Sequence, residues 1–530
     1  MTSLKNLLME NDGFAADGTD FYHMTTGQAM RHARGINHGS MVLRGSKNST
    51  YTVIGGLKHI LPAIAAFRFD REFVQWAKSL RLPNGQPTLS AEYLDSKLGQ
   101  PLDVRMGFMP DGSVAFPGPI GWVTGRPDVV KMLDTPISDM LRRGSMVATK
   151  AARLKHIAAL GNFKVADNSM RRSADPLGLI TADICGMVGL PTSNMRAARA
   201  RGANPVGTMD HWYVMAMMSE WFSQHPTADP KLHENIRAAQ QYAFHCFVQA
   251  NPEYGALLLD TISLEWGLED AIIVLKEFNP QNYSVRLDSG DLAAGTRWVR
   301  QQLDAAGLPH ITIALSGGLR AANLASLVAE EVPFNAAGVG EYFKDGGERA
   351  RDANKDLFEA PVNVEIVTKL SYSDDGQGQS FRHIKLSETP AKASRGGLID
   401  RVRLLKKDHG DYQLLADVEV DNLRHPQEGR ALQRPLTSLR LDTLKPRTFA
   451  EDTICIRPIV ELLNGPVLKK VLLDDGTARS RFEAQFAWLS DDLKKVNGSH
   501  AGCPVGVERE HYLNWQRMVT NLQPVQRITA

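Results

Sequence analysis

The sequence predicts an α/β protein: a βα barrel in the middle of the chain, packed on an N-terminal α/β domain that C-terminal segments complete. Three observations carry this. Apolar runs of strand length alternate with helically spaced segments between about residues 155 and 360, the pattern of parallel βα units. Each of those runs ends in an acid, a hydroxyl or a glycine, and in a βα barrel such ends form the active-site face. On either side the texture is mixed, with short β-type runs broken by Pro, Asp and Gly.

In chain order, "LKHILPAIAAF" and "REFVQWAKSLRL" have helical apolar spacing, and "DVRMGFMPDGSVAFPGPIGWVTG" reads as strands and turns. "RPDVVKMLDTPISDMLRRGSMVATKAARLKHIAAL" is helix-rich. "YGALLLDTI", "YSVRLDSGD", "ITIALSGG" and "FNAAGVGEYF" read as strands. "EWGLEDAIIVLKEF", "AGTRWVRQQLDAAGLP" and "LRAANLASLVAEEV" are the helices between them. From 361 onward, "VNVEIVTKLSYS", "DDGQGQS" and "YQLLADVEV" read as strand, turn and strand of a segment that returns to the first domain. The expected division is 1–150, 151–360 and 361–530, within the two to four units that roughly 100–200 residues per domain allow. There are no repeats or low-complexity tracts.

The charge balance of 61 basic against 59 acidic residues gives a net +2. That argues against a nucleic acid as the main partner, while local basic clusters would suffice for a small anion. Cys185, Cys246, Cys455 and Cys503 form no CxxC pair, against a disulfide framework or thiolate zinc site. The N-terminus lacks a signal-peptide apolar core, and no run approaches the roughly 20 apolar residues of a membrane span. "KNST" and "VNGS" are therefore read as chance glycosylation triplets, and the expected location is the cytoplasm.

The sharpest motif is "VRLDSGD". Arg286 and Asp288 are two apart, so on a strand they share a face. Gly290 follows, and an acid at a strand end can hold ribose hydroxyls or a metal-bound diphosphate; the plain alternative is a structural ion pair. "LSGGL" (Ser316, Gly317) and "AGVGEYF" (Gly338, Gly340) offer backbone N–H groups to a phosphate. "NSMRRSADPLG" carries Arg171 and Arg172, suited to gripping a carboxylate or phosphate, though a solvated basic turn has the same pattern. "LPTSNMRAARARG" starts a basic helix with Thr192, Ser193 and Asn194 as cap-type residues. In "GTMDHWYVMA", Thr208 is positioned to cap a helix with His211 in its first turn. The helix dipole there favours anionic groups, and an imidazole is a candidate nucleophile or base.

In order, "GTDFYHMTTGQAM", "MRRSADPLG", "PTSNMRAA", "GTMDHWYVMA", "LLLDT", "VRLDSGDL", "LSGGL", "GVGEYF" and "KLSETPAKASRGG" resemble the motifs of the nicotinate phosphoribosyltransferase family, from about residue 18 to 400. The resemblance implies a type II phosphoribosyltransferase: an irregular, TIM-like α/β barrel on an N-terminal domain built from two separated parts, usually a homodimer with shared active sites. It implies the joining of nicotinate to phosphoribosyl pyrophosphate in NAD biosynthesis, assisted by Mg²⁺ and coupled to ATP hydrolysis through a phosphohistidine.

Carried over by motif, His211 is the phosphorylated histidine, and Tyr22 stacks on the pyridine ring in the partner's site. Arg171 lies by the ring and its carboxylate. Arg286 and Asp288 hold the ribose and phosphate end, Thr208 belongs to the substrate-binding set, and Ser316, Gly317, Gly338 and Gly340 cradle the 5′-phosphate. Nicotinamide-using relatives carry an acid where this chain has Ser193, which favours nicotinate. The sequence departs from the family pattern at Gly318, where Asp or Asn is usual, at Trp212 and at "SRGG". Two alternatives follow: a phosphoribosyltransferase of the same fold acting on nicotinamide or another pyridine-like base, and a catalytically silent relative that binds phosphoribosyl pyrophosphate or a nucleotide.

Overall fold

The computed structural model describes residues 18–44, 51–66, 69–98, 104–173, 175, 178–344, 362, 364–386, 394–408, 411–421, 437–440, 446–448, 454–456, 459–462, 505–508 and 525–528. The N-terminal stretch read for a leader, both glycosylation-type triplets, Cys503 and the middle of "KLSETPAKASRGG" lie outside the described residues. The chain divides into two compact units, Val147–Val362 and Met1–Met146 with Asn363–Ala530. The division falls within one 34-residue helix, Pro127–Leu160, which continues through Pro136.

The Val147–Val362 unit is built on five parallel strands. They pair in the order Lys164–Asp167, Ala336–Val339, Thr312–Leu315, Tyr283–Leu287 and Gly255–Leu258. Thr192 adds an isolated parallel bridge to Asp167. Among the described residues no hydrogen-bonded ladder closes the first strand onto the last. The α/β alternation expected from the sequence is present. Helices Leu264–Phe278, Leu292–Ala305 and Ala321–Ala329 follow successive strands, capped by Ser263, Asp291 and Arg320. The strand interiors are apolar because helices cover the parallel sheet: Leu257, Leu258, Val285, Leu287, Ile313, Leu315 and Val339 are all fully buried.

The other unit is mainly antiparallel. Its seven-stranded sheet runs Val460–Leu462, Val104–Phe108, Gly118–Gly125, Ile36–Arg44, Glu365–Asp374, Ser380–His383, Val525–Ile528. Strands from beyond residue 363 thus complete a sheet begun before residue 125. A second sheet contains the hairpin Ile399–Asp408 and Asp411–Asp421. Two buried arginines pin it to the N-terminal segment. Arg401 donates to Asp417, Phe116 O and Pro119 O, and Arg403 donates to Asp417 and Val114 O, at 2.7–2.8 Å. Burial alone would push the Asp417 carboxyl up, but the two guanidinium groups outweigh it and hold it below its usual value. Among the described residues no helix is long and apolar enough to cross a membrane.

Candidate active site

Register aligns the C-terminal ends of the five parallel strands. Leu258 pairs with Arg286, Leu287 and Ala337 with Leu315, and Val339 with Asp167. The residues leaving this edge are therefore Asp260, Asp288, Ser316, Gly340 and Asn168, and the loops they begin lie side by side.

Asp260 organises the first of these loops. Its Oδ2 accepts from the Asp288 N–H at 3.0 Å and the Ser289 hydroxyl at 2.5 Å. Its Oδ1 is buried and has no partner. Ser316 donates its hydroxyl to Asp288 Oδ1 and its N–H to Leu287 O at 2.9 Å. Gly317 has φ +88°, and a Cβ there would lie 1.8 Å from the Asp288 carbonyl oxygen. Only glycine permits that approach, so the Asp288 and Ser316–Gly317 turns form one packed ledge. Gly338 and Gly340 flank the neighbouring turn, where the Asn168 N–H donates to Val339 O at 2.8 Å.

His211 is the first residue of helix His211–Gln224. The cap is Asp210, whose carboxylate accepts from Tyr213 N at 2.9 Å, and not Thr208 as the sequence reading expected. Asp is the stronger cap, and it stands directly before the helix. The Thr208 hydroxyl is instead engaged by Arg286 Nη1 at 2.7 Å. His211 Nδ1 lies 3.1 Å from Thr261 Oγ1, and Nε2 lies 4.0 Å from Asp288 Oδ2. Both side chains are more than a third exposed (40% and 36%), so the imidazole is held on one nitrogen and open on the other.

Arg286 forms no ion pair with Asp288. Asp288 lies beyond Leu287, the last strand residue, where side-chain alternation no longer applies, so the bland Arg–Asp pair is absent. Burial draws the Arg286 pKa down against the opposing pull of Asp288, Asp260 and Asp210; guanidinium remains charged regardless. Its Nε is buried and unpartnered.

Arg171 and Arg172 are exposed on the turn after Lys164–Asp167, and neither pairs with an acid among the described residues. Ser193 is half-buried. The cap of the following helix is Asn194, which accepts from Ala197 N at 3.1 Å, while Thr192 gives its hydroxyl to Asp167 at 2.7 Å. Tyr22 belongs to the other unit. It is 51% exposed, edge-on to His23, with Lys131 Nζ 5.1 Å from the ring centroid. Three residues with site contacts were not among those singled out from sequence: Thr261, Asp210 and Asp167. Asp260 was visible only as the acid ending an apolar run.

No family model matches the chain. Curated relatives do. A nicotinate phosphoribosyltransferase of Bos taurus is 28% identical over 426 residues, 72% of this chain and 74% of the relative. Those of Mus musculus and Mycobacterium tuberculosis are each 29% identical, over 55% and 61% of this chain; the matches span 61% and 65% of those relatives' lengths. The crystal structure of human nicotinic acid phosphoribosyltransferase aligns with 95% of this chain and 99% of its own, with a TM-score of 0.67 at 21% identity. The chain is similar to nicotinate phosphoribosyltransferases and shares their fold. The fold is shared more widely: a nicotinate-nucleotide pyrophosphorylase from Pyrococcus furiosus aligns with a TM-score of 0.51 at 15% identity, over 90% of this chain. The motifs "LLLDT", "VRLDSGDL", "LSGGL" and "GVGEYF" each fall at the end of one parallel strand.

Proposed function

We propose that this chain is a nicotinate phosphoribosyltransferase, a cytoplasmic enzyme of NAD biosynthesis. The nicotinate ring nitrogen attacks C1 of phosphoribosyl pyrophosphate, the C1–oxygen bond breaks, and pyrophosphate leaves with its electron pair, giving nicotinate mononucleotide. ATP hydrolysis is coupled to this through His211. The names of the relatives support the substrate class. The observation that carries the reading is the setting of His211: a helix N-terminus, Thr261 on Nδ1, and an open Nε2 beside Asp288. With Nδ1–H donating to Thr261, the Nε2 lone pair is free to attack the terminal phosphorus of ATP and release ADP.

The remaining residues divide the work. As C1 gains oxocarbenium character, catalysis rests on holding the base in line and neutralising the leaving charges. Arg286, held by Thr208 and with Nε unspent, takes the ribose and phosphate end together with Asp288. The turn that Ser316 opens cradles the 5′-phosphate with backbone N–H groups of Gly317, Gly338 and Gly340. Arg171 takes the nicotinate carboxylate, and the neutral Ser193 hydroxyl does not repel it. Tyr22 stacks on the ring from the partner in a homodimer with shared sites.

The residues fit Mg²⁺. Among the described residues no group of three or more His, Cys, Asp or Glu could hold a metal ion, but Mg²⁺ arriving with a diphosphate needs only one or two carboxylates. The unpartnered Asp260 Oδ1 and the half-buried Asp288 would hold it. When bound, it neutralises charge between those carboxylates and the phosphates. The test is incubation with ATP and Mg²⁺ followed by mass spectrometry under conditions that preserve phosphohistidine. Phosphate on His211 is expected; phosphate elsewhere, or none, refutes the role given to it.

A further inference from the structure

We propose that Asp167 is a positioning residue for the pyridine base, a buried clamp holding the Arg171 turn and the Ser193 turn in fixed relation. The proposal rests on the reading that Arg171 and Ser193 face the base.

Asp167 ends the Lys164–Asp167 strand and is 1% exposed, so it acts through other residues. Its two carboxylate oxygens serve two different segments. Oδ1 accepts from the Ser169 N–H at 2.9 Å, and Oδ2 accepts from the Thr192 hydroxyl at 2.7 Å. The main chain repeats the link: Asp167 N–H donates to Pro191 O at 2.8 Å, and Asp167 O accepts from Ser193 N at 2.9 Å.

Each end of the clamp sets a site residue. The turn carrying Arg171 closes on Ser169, whose carbonyl accepts from Arg172 N at 2.6 Å and Ser173 N at 2.8 Å. Fixing Ser169 therefore fixes the turn. Thr192 precedes Ser193, and its Oγ1 also accepts from Asn194 N at 3.1 Å, which seats the cap of helix Met195–Arg201. Among the described residues Asp167 has no cation partner within ion-pair distance, and burial pushes its carboxyl up against the hydrogen bonds from Ser169 and Thr192. A buried carboxylate is a costly way to fill space; bridging two loops is a task that an apolar side chain cannot perform. Supporting residues of this kind hold binding groups to within a fraction of an ångström.

Steady-state kinetics of Asp167→Ala, Asp167→Asn and Thr192→Val, beside Arg171→Ala, test this. Asp167→Ala is expected to raise KM for nicotinate about tenfold or more while kcat and KM for phosphoribosyl pyrophosphate stay within about twofold. Asp167→Asn recovers most of the loss, since an amide still spans both segments. Thr192→Val removes one arm and raises the nicotinate KM by a smaller factor, and it decides the matter should Asp167→Ala not fold. If Arg171→Ala raises the nicotinate KM but the Asp167 and Thr192 variants leave it unchanged, the clamp is overturned and the base site stands. If Arg171→Ala leaves it unchanged as well, the base-site reading fails and the clamp falls with it.

Discussion

Replacing Gly317 with alanine sets a Cβ 1.8 Å from the Asp288 carbonyl oxygen, at a φ of +88°. Two costs add. The left-handed backbone costs an alanine roughly 1 kcal/mol, and forcing an atom into a packed backbone contact costs about 1–3 kcal/mol more. The sum is about 2–4 kcal/mol. At about 2–4 °C per kcal/mol for a unit of this size, the midpoint of thermal unfolding should fall by roughly 5–15 °C. Gly318 is the internal control. It too is left-handed, at φ +64°, but a Cβ there meets nothing within 4 Å. Gly318→Ala should cost only about 1 kcal/mol, and Gly318→Asn less, because Asn tolerates that conformation. Circular dichroism melts of the three variants, with KM for phosphoribosyl pyrophosphate, read both consequences. Gly317→Ala should also raise that KM about tenfold, because the relief of the clash shifts Asp288 and the Ser316 hydroxyl bonded to it. If Gly317→Ala melts with Gly318→Ala and binds the donor normally, the packed ledge is not the phosphate cradle argued here.

Further outcomes follow from the same geometry. His211→Ala should abolish stimulation by ATP yet leave a slow ATP-independent reaction; ATP hydrolysis persisting in that variant contradicts the assignment. Thr261→Val removes the partner of Nδ1 and should slow phosphate transfer to His211 about tenfold in a rapid-quench assay, with little change in melting. Asp210→Ala removes the helix cap and should cost ~1 kcal/mol in urea unfolding. Asp417→Asn removes the carboxylate that accepts from both buried guanidinium groups and should cost about 3–5 kcal/mol. Because the folded Asp417 carboxyl lies below the usual 3.8, its contribution is complete above that pH. It is lost as pH falls through the folded value, so acid melts of the wild type should show a stability loss that Asp417→Asn lacks.

Much of the fold was legible because short apolar-rich strands alternating with helically spaced segments leave a clear trace. "GALL", "YSVRL", "TIAL" and "AAGV" are short apolar runs with a polar or glycine residue at the exit, and that residue is where the chemistry collects. The fifth strand, "KVAD", escaped notice. It is four residues long with two apolar side chains, too little for periodicity to register, and Asp167 was hidden with it. Local rules also named Thr208 as the cap and passed over Asp210, which stands directly before the helix; the Thr208 hydroxyl goes instead to Arg286, 78 residues away. Thr261 was invisible for the same reason, since it meets His211 across 50 residues of sequence. The Arg286–Asp288 spacing suggested a shared face, which holds only while a strand continues.

The most direct measurement is the yield of nicotinate mononucleotide from nicotinate, phosphoribosyl pyrophosphate and Mg²⁺, with and without ATP, with nicotinamide in a parallel reaction. Nicotinate mononucleotide and pyrophosphate are expected in equal amounts, increased by ATP, with little or no product from nicotinamide. Preferential use of nicotinamide, or no mononucleotide from either base while phosphoribosyl pyrophosphate still binds, would contradict the proposed function.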